Sequence, residues 1–362
     1  MRGSIDSSFW DGKRVLITGH TGFKGAWLAL LLTRLKCEVW GLSLPPEEMS
    51  LFNQARLSEI LQGSHYVDLE DRDEVHSVVD SIQPHVTVHL AAQSLVREAH
   101  RVPQRTFATN VLGTVHLLEA HRTCKAVESV LLATTDKVYL NLERGVPFRE
   151  GDRLGGLEPY SASKVGAEMA ASAYRASYFR ERGVAVPVCR AGNVIGGGDW
   201  SDERLLPDAI RAVMSRENLR VRNPAAARPW QFVLDALEGY LLLIQAGANG
   251  GGGVSDPEDD AWNFGPSTAS KPVSVEQVCQ WIEEFWPDRF AWRPEAELER
   301  IPESNLLALD PAKAQERLNW APRCSPKEAV LRSLEWYSDF LAGKDAYDLC
   351  LRQIGEHCPE LG

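Results

Sequence analysis

The five residues Arg14–Thr18 have strand-forming character and run without a linker into GHTGFKG, residues 19–25, which opens directly into WLALLLTRL, an apolar helical pattern. A strand, three glycines at this spacing and a helix demand a backbone that few other local sequences allow. Gly19 permits the tight turn, Gly22 lets backbone amides approach a pyrophosphate, and Gly25 lets helix and strand pack closely, while the helix N-terminus adds positive potential. The turn is therefore expected to hold a dinucleotide through Gly19, His20, Gly22, Phe23, Lys24 and Gly25, with His20 and Lys24 adding positive character.

Further apolar or β-branched runs at 38–42, 65–68, 86–90, 129–134 and 185–190 alternate with helical patterns at 24–35, 71–82 and 105–122. Such alternation predicts an α/β fold with a Rossmann-type, doubly wound parallel sheet. Residues 9–190 are expected to form this domain. The second half has shorter apolar runs and more Trp and Pro, which suits a smaller C-terminal substrate-binding lobe over 191–345, with some chain free to return to the sheet; 1–8 and 346–362 read as tails. Residues 246–260, rich in Gly and acidic residues, read as a surface loop. Ligand is expected between the lobes, at the carboxyl edge of the sheet.

With 362 residues, 44% hydrophobic and 25% charged, the chain can bury a large core. A formal net charge of −11 without a dense Lys/Arg run argues against nucleic acid, so anionic ligands must be met by local cations. Seven Cys show neither CxxC pairing nor the density of small secreted folds, which suits a reduced, cytoplasmic setting. The N-terminal MRGSIDSS lacks an apolar signal core, and no apolar run approaches the roughly 18 residues of a membrane span. Nine His without paired ligand spacing suggest no metal.

The second strand ends in VWGLSLPP, where an Asp or Glu would ordinarily meet the adenosine ribose. Ser43 is the candidate there, and no Arg follows closely to meet a 2′-phosphate, so NAD is preferred with NADP open. Asp68 and Leu69 end the third strand, where the carboxylate reaches the adenine amino group or caps the next helix. Ala91, Ala92 and Gln93 follow the fourth strand and are further cofactor candidates.

Two motifs name the chemistry: TTDK at 134–137 and YSASK at 160–164. Tyr160 and Lys164 lie one helical turn apart on one face, so the ammonium can favour the phenolate. Oxidising an alcohol needs Thr135, Tyr160 and Lys164. Eliminating water beside the new ketone needs a proton donor and an acceptor as well, and Asp136 and Lys137 offer that pair.

GHTGFKG, HLAAQSLVR at 89–97, TTDK, PYSASK, RAGNVIGGGDW at 190–200, RPWQFVLD at 228–235 and WNFGP at 262–266 together resemble the CDP-glucose 4,6-dehydratases, in the nucleotide-sugar branch of the extended short-chain dehydrogenase/reductase family. The resemblance spans roughly residues 9–340. HTGFKG, the Asp-Lys pair and RPWQ are its more specific parts. A thymidine-diphosphate-glucose dehydratase more typically carries Asp-Glu at this pair, and the inverting UDP-N-acetylglucosamine dehydratases place their Tyr sooner than the 23 residues that separate Lys137 from Tyr160.

The resemblance implies that Tyr160 takes the proton of the sugar 4-hydroxyl as hydride passes to NAD, that Thr135 bonds the same oxygen, and that Lys164 holds the nicotinamide ribose and lowers the Tyr160 pKa. It implies that Asp136 protonates the departing 6-hydroxyl and that Lys137 takes the C5 proton, or else orients Asp136 through an ion pair. The product would be CDP-4-dehydro-6-deoxyglucose, a deoxysugar precursor. Another nucleoside-diphosphate hexose, or a 4-epimerase reaction, is the alternative. Asn193 is placed for the substrate diphosphate, and Arg228 offers a bidentate phosphate fork. Trp230 packs beside a base or, more readily, fills the core. Gln93 and Arg97 are candidates to touch the hexose, with a solvated helix position equally open for Arg97. A homodimer through 105–122 and 160–178 is the family pattern.

Overall fold

The structure, a computed structural model, describes residues 2–143, 145–248, 261–268, 272–295 and 305–361. Of the expected surface loop, 246–248 close the helix Val233–Ala248 and the remainder lies outside the described residues.

Six strands follow one another in the first half: β1 (Arg14–Thr18), β2 (Glu38–Ser43), β3 (Gly63–Tyr66), β4 (Val86–His89), β5 (Ser129–Thr135) and β6 (Val188–Ala191). A seventh, Ala261–Phe264, returns from the second half and pairs with β6, Phe264 opposite Ala191. All pairings are parallel, in the order seventh strand, β6, β5, β4, β1, β2, β3. Chain progression reverses between β1 and β4, so a crevice opens above their carboxyl ends. Every residue of β4, β5 and β6 is buried, as expected of strands covered on both faces. β3 starts two residues earlier than the apolar run suggests, because Gly63 pairs opposite Trp40 and a Cβ there would lie 2.8 Å from the indole.

The helix Phe23–Arg34 leaves the glycine turn with Gly25 through Leu32 all buried. Helices Val233–Ala248 and Ala346–His357 pack on it, and Leu349, Cys350 and Ile354 join the main core. Residues 346–357, read as part of a tail, are therefore an integral layer of the fold. Asp235 and Glu238 fasten this region: Arg323 Nη2 and Arg2 Nη2 reach Glu238 at 2.8 and 2.7 Å, and His357 Nε2 lies 3.4 Å from Asp235.

The long helix expected at 105–122 is broken into Pro103–Phe107, a π-turn Ala108–Leu112 and Gly113–Thr123. At the second break a Cβ on Gly113 would meet Leu69 Cβ at 2.7 Å, so the chain crosses close beneath the end of β3. The helix Pro159–Tyr174 starts abruptly because Glu158 accepts from the amides of Tyr160 and Ser161 and Pro159 takes its first position. This cap fixes Tyr160 in the first turn.

Beneath β5 a buried ion pair joins Glu168 to Arg190, Nη2 to Oε2 at 2.6 Å. Thr134 donates to Glu168 at 2.6 Å, Arg190 to the Tyr139 hydroxyl at 2.9 Å, and that hydroxyl to Asn263 at 2.7 Å. The network ties the TTDK turn to the returning strand. All seven cysteines are buried thiols. No helix among the described residues is long and apolar enough to cross a membrane.

Candidate active site

A cleft of about 1630 Å³ runs along the carboxyl ends of β1, β4, β5 and β6 and continues into the second lobe. Gly19, Thr21, Gly22, Phe23, Lys24 and Gly25 border it at one end. Gly19 has φ +75°, and a Cβ there would stand 2.8 Å from the Ala91 amide nitrogen. A Cβ on Gly25 would meet Gly19 O at 2.1 Å, whereas one on Gly22 would meet only that carbonyl, at 3.4 Å. The outer face of Gly22 is thus open for the approach of a pyrophosphate, and the turn fits a dinucleotide.

Thr21 shares a hydrogen bond with Ser43 at 2.8 Å and donates to Leu44 O, which fastens the turn to β2. Ser43, Asp68, Leu69, Ala91 and Ala92 all border the cleft. The next helix, Arg72–Ile82, is capped by Asp71, whose side chain accepts from the Glu74 amide, so capping does not occupy Asp68; Asp68 Oδ1 takes the Glu70 amide at 3.1 Å.

His20 departs from expectation. Its imidazole lies under β2, in the slot left by Gly41, where a Cβ would come within 2.3 Å of the ring. Nε2 pairs with Ser64 Oγ at 3.1 Å, and the ring meets Phe52 edge-on. Burial holds the imidazole pKa down at about 4, so His20 is neutral, does not border the cleft and adds no positive potential. Lys24 does border it; burial first, then the charge of Arg204, push its ammonium down to about 8, against Cys189 and Asp199.

At the centre of the cleft Thr135 ends β5 and caps a single 3-10 turn, Asp136–Val138, by accepting from the Lys137 amide at 3.3 Å. Its hydroxyl donates to Asp136 Oδ1 at 3.0 Å. Asp136 is buried, and its Oδ2 has no hydrogen-bond partner among the described residues. Lys137 borders the same space, and among the described residues no ion pair joins it to Asp136. Tyr160 faces this turn. Burial raises its phenol to about 12, with the Asp136 charge adding, and the Thr135 hydrogen bond and the Arg204 charge opposing.

Lys164 lies one turn further on and donates to Ala133 O at 3.0 Å. Burial, then Lys24, bring it down to about 8, against Glu168. The cation that lowers the phenol here is Arg204, and the sheet carbonyl claims the Lys164 ammonium. Arg204 escaped the sequence reading because an Arg in SDERLLP looks like a solvated helix start. It precedes the helix Leu205–Ser215, pairs with buried Asp199 at 3.0 Å and donates to Ser94 Oγ at 3.1 Å, bridging the lobes beside Tyr160.

Gln93 borders the cleft with both amide protons engaged: its Nε2 donates to Leu95 O and Thr106 Oγ1, and its Oε1 accepts from the Leu95 amide, so its side chain shapes the 93–95 loop. Arg97 reaches Glu203 at 3.4 Å across the cleft. Asn193 borders the cleft where β6 gives way to the second lobe, its carbonyl accepting from the Gln231 amide. Arg228 is buried at the cleft wall, with Nη1 on Ala227 O at 3.0 Å. Trp230 packs into the main core and donates to Val273 O at 3.1 Å, so packing dominates its role, though its edge reaches the wall.

Comparison with known proteins gives a consistent lineage. A family model described as GDP-mannose 4,6 dehydratase matches residues 16–332. The CDP-glucose 4,6-dehydratase of Salmonella typhimurium is 39% identical over 359 residues, 98% of each chain. A probable dTDP-glucose 4,6-dehydratase of Sinorhizobium fredii is 26% identical, over 90% of this chain and 92% of its own. Among solved structures, UDP-glucose 4-epimerase of Thermotoga maritima superposes with a TM-score of 0.77 at 21% identity, covering 91% of this chain and 99% of that one. The dTDP-glucose 4,6-dehydratase of Bacillus anthracis in complex with NAD gives 0.74 at 20% identity, covering 94% and 100%. The structural likenesses establish the shared fold, which epimerases and dehydratases have in common, and the sequence matches establish the lineage: this chain belongs to the GDP-mannose 4,6 dehydratase family of nucleotide-sugar dehydratases.

Proposed function

We propose that the protein is an NAD-dependent CDP-glucose 4,6-dehydratase. The observation that carries this reading is the buried Asp136 carboxyl beside Tyr160, one oxygen held by Thr135 and the other without a partner among the described residues. A 4-epimerase has no use for an acid there. Elimination of water does, and the full-length similarity to a CDP-glucose enzyme supports cytidine as the nucleoside.

Gly19, Thr21, Gly22 and the amides opening the helix Phe23–Arg34 would hold the NAD pyrophosphate, with Ser43 and Asp68 toward the adenosine and Lys164 toward the nicotinamide ribose. NAD bound there supplies the hydride acceptor for the sugar C4 and, once reduced, the donor for C6. β2 ends in Ser43 and is followed by Leu44 with no guanidinium in that run, which favours NAD over NADP. Thr135 orients the sugar 4-oxygen and Tyr160 accepts its proton. Lys137 takes the C5 proton made acidic by the 4-ketone, which requires a neutral amine, Asp136 delivers a proton to the departing 6-hydroxyl, and Lys137 gives a proton back to C5 when hydride reaches C6. Asn193 and Arg228 meet the diphosphate, and Arg204 supports the phenolate electrostatically.

The product, a 4-dehydro-6-deoxy sugar nucleotide, suits deoxysugar biosynthesis in the cytoplasm. Residues 9–190 serve as the cofactor domain and 191–345 mainly as the substrate lobe. Exposed Phe107, Leu112, Met169 and Tyr178 lie on the segments 103–123 and 159–179 and support pairing of two copies through these helices. Mass spectrometry after incubation with NAD and, separately, CDP-, dTDP-, UDP- and GDP-hexoses tests the proposal. Loss of one water from CDP-glucose alone is expected; an unchanged mass with altered sugar configuration would make the protein an epimerase.

A further inference from the structure

Seven carboxylates border the cleft, and six are engaged by neighbours within the protein. Asp68 accepts the Glu70 amide, Asp136 the Thr135 hydroxyl, Asp199 pairs with Arg204, Glu203 with Arg97, Glu98 with Arg101 and Asp208 with Arg211. Glu295 is different: among the described residues its carboxylate has neither a hydrogen bond nor an ion pair. Its backbone is nevertheless fixed, because its amide donates to Val221 O at 2.9 Å.

That hydrogen bond extends a short parallel pairing of Leu219–Val221 with Trp292–Pro294, and of this pairing Leu219–Val221, together with Glu295, border the cleft. A nucleotide sugar is a linear ligand. With its hexose at Thr135, Asp136 and Tyr160 and its diphosphate at Asn193 and Arg228, the nucleoside extends toward the wall that carries Val221, Asn223 and Glu295. A cleft that receives a diphosphate gains nothing from an idle carboxylate, which repels the ligand unless it meets a hydrogen-bond donor. On a pyrimidine edge the distinguishing donor is the exocyclic 4-amino group of cytosine; uracil and thymine present a carbonyl oxygen at that position, which a carboxylate rejects.

We infer that Glu295 reads the nucleobase, accepting a hydrogen bond from an exocyclic amino group and thereby selecting cytosine over uracil and thymine. The inference rests on the preceding reading of the cleft as a nucleotide-sugar site. Guanine also presents amino donors, so the shared chemistry is an amino-bearing base, with cytosine the one that the proposed substrate supplies.

The test is equilibrium binding of CMP, UMP and GMP to the full-length, NAD-loaded protein, wild type against Glu295→Gln. Loss of a hydrogen bond to a charged group lowers affinity by about tenfold to a hundredfold. CMP is expected to weaken by that factor while UMP holds or tightens, since the new carboxamide can donate to O4. Retained UMP binding also shows that the variant is folded. Equal affinities of the wild type for CMP and UMP, or parallel changes in both on substitution, would overturn the inference. A wild-type preference for GMP that is lost in the variant would uphold Glu295 as the base reader and replace cytosine with guanine. Product mass from the wild-type protein judges the dehydratase reading separately, whatever the CMP-to-UMP ratio does.

Discussion

The Thr135 hydroxyl donates to Asp136 Oδ1 at 3.0 Å, and the other oxygen of this buried carboxyl group, close enough to act on the Tyr160 phenol, has no partner among the described residues. Buried polar atoms are ordinarily satisfied, and an orphan at a cleft floor marks a place where a ligand atom completes the bonding. Asp136→Asn keeps the shape and removes the transferable proton. Elimination should slow by about 10²- to 10⁴-fold, while oxidation at C4 is affected far less. Reduced cofactor should therefore accumulate in a single turnover, visible by its absorbance, and absence of that accumulation with normal water loss would remove Asp136 from the acid role.

Tyr160, held up at about 12 mainly by burial, is a neutral phenol at pH 7 in the ligand-free protein. A step that needs the phenolate must then quicken as pH rises, until another group limits it. Tyr160→Phe should lower kcat by about 10²- to 10⁴-fold and abolish this rising limb. A variant that keeps the limb would assign it to another group.

Lys24 and Lys164 both stand near 8 where 10.5 is usual, each mainly through burial, with the Arg204 charge adding at Lys24 and the Lys24 charge adding at Lys164. A base whose folded value is depressed binds fewer protons than the unfolded chain, so stability is reduced below about 8 and recovers as pH rises from 8 toward 10.5. Lys24→Met should stabilise the ligand-free protein at pH 7 by about 1 kcal/mol, after discounting for partial exposure, and this gain should vanish above pH 10.5. Thermal unfolding across pH measures it. Binding of NAD should weaken in the same variant, because an anionic cofactor loses a cation; destabilisation at pH 7 would contradict the assignment.

The Glu168 and Arg190 pair is buried and joined to Thr134 and Tyr139. Removing one partner strands the other charge away from water. Glu168→Ala should cost about 3–5 kcal/mol in chemical denaturation, with the TTDK turn loosened as well. A loss below about 1 kcal/mol would mean that solvent reaches Arg190 readily.

Much of this arrangement was legible in the sequence because local chemistry dictates it. Gly19 needs its positive φ, Gly25 has no room for a Cβ, and Tyr160 and Lys164 share a helix face in any register. What the sequence concealed depends on distant chain. His20 is neutralised by a slot that Gly41 leaves on another strand, and Gln93 is consumed by Leu95 and Thr106. Arg204 reaches Tyr160 only because Asp199 and Ser94 steer it there. The 346–357 helix appears peripheral in a linear reading, yet it covers the helix that follows the glycine turn.

Oxidation at C4, loss of water across C5 and C6, and return of the same hydride to C6 form the central claim. Incubation of the NAD-loaded protein with CDP-glucose carrying deuterium at C4, followed by mass and magnetic-resonance analysis of the product, tests it most directly. A product lighter by one water with its deuterium moved to C6 is the expected result. Deuterium still at C4 in a product of unchanged mass would contradict it.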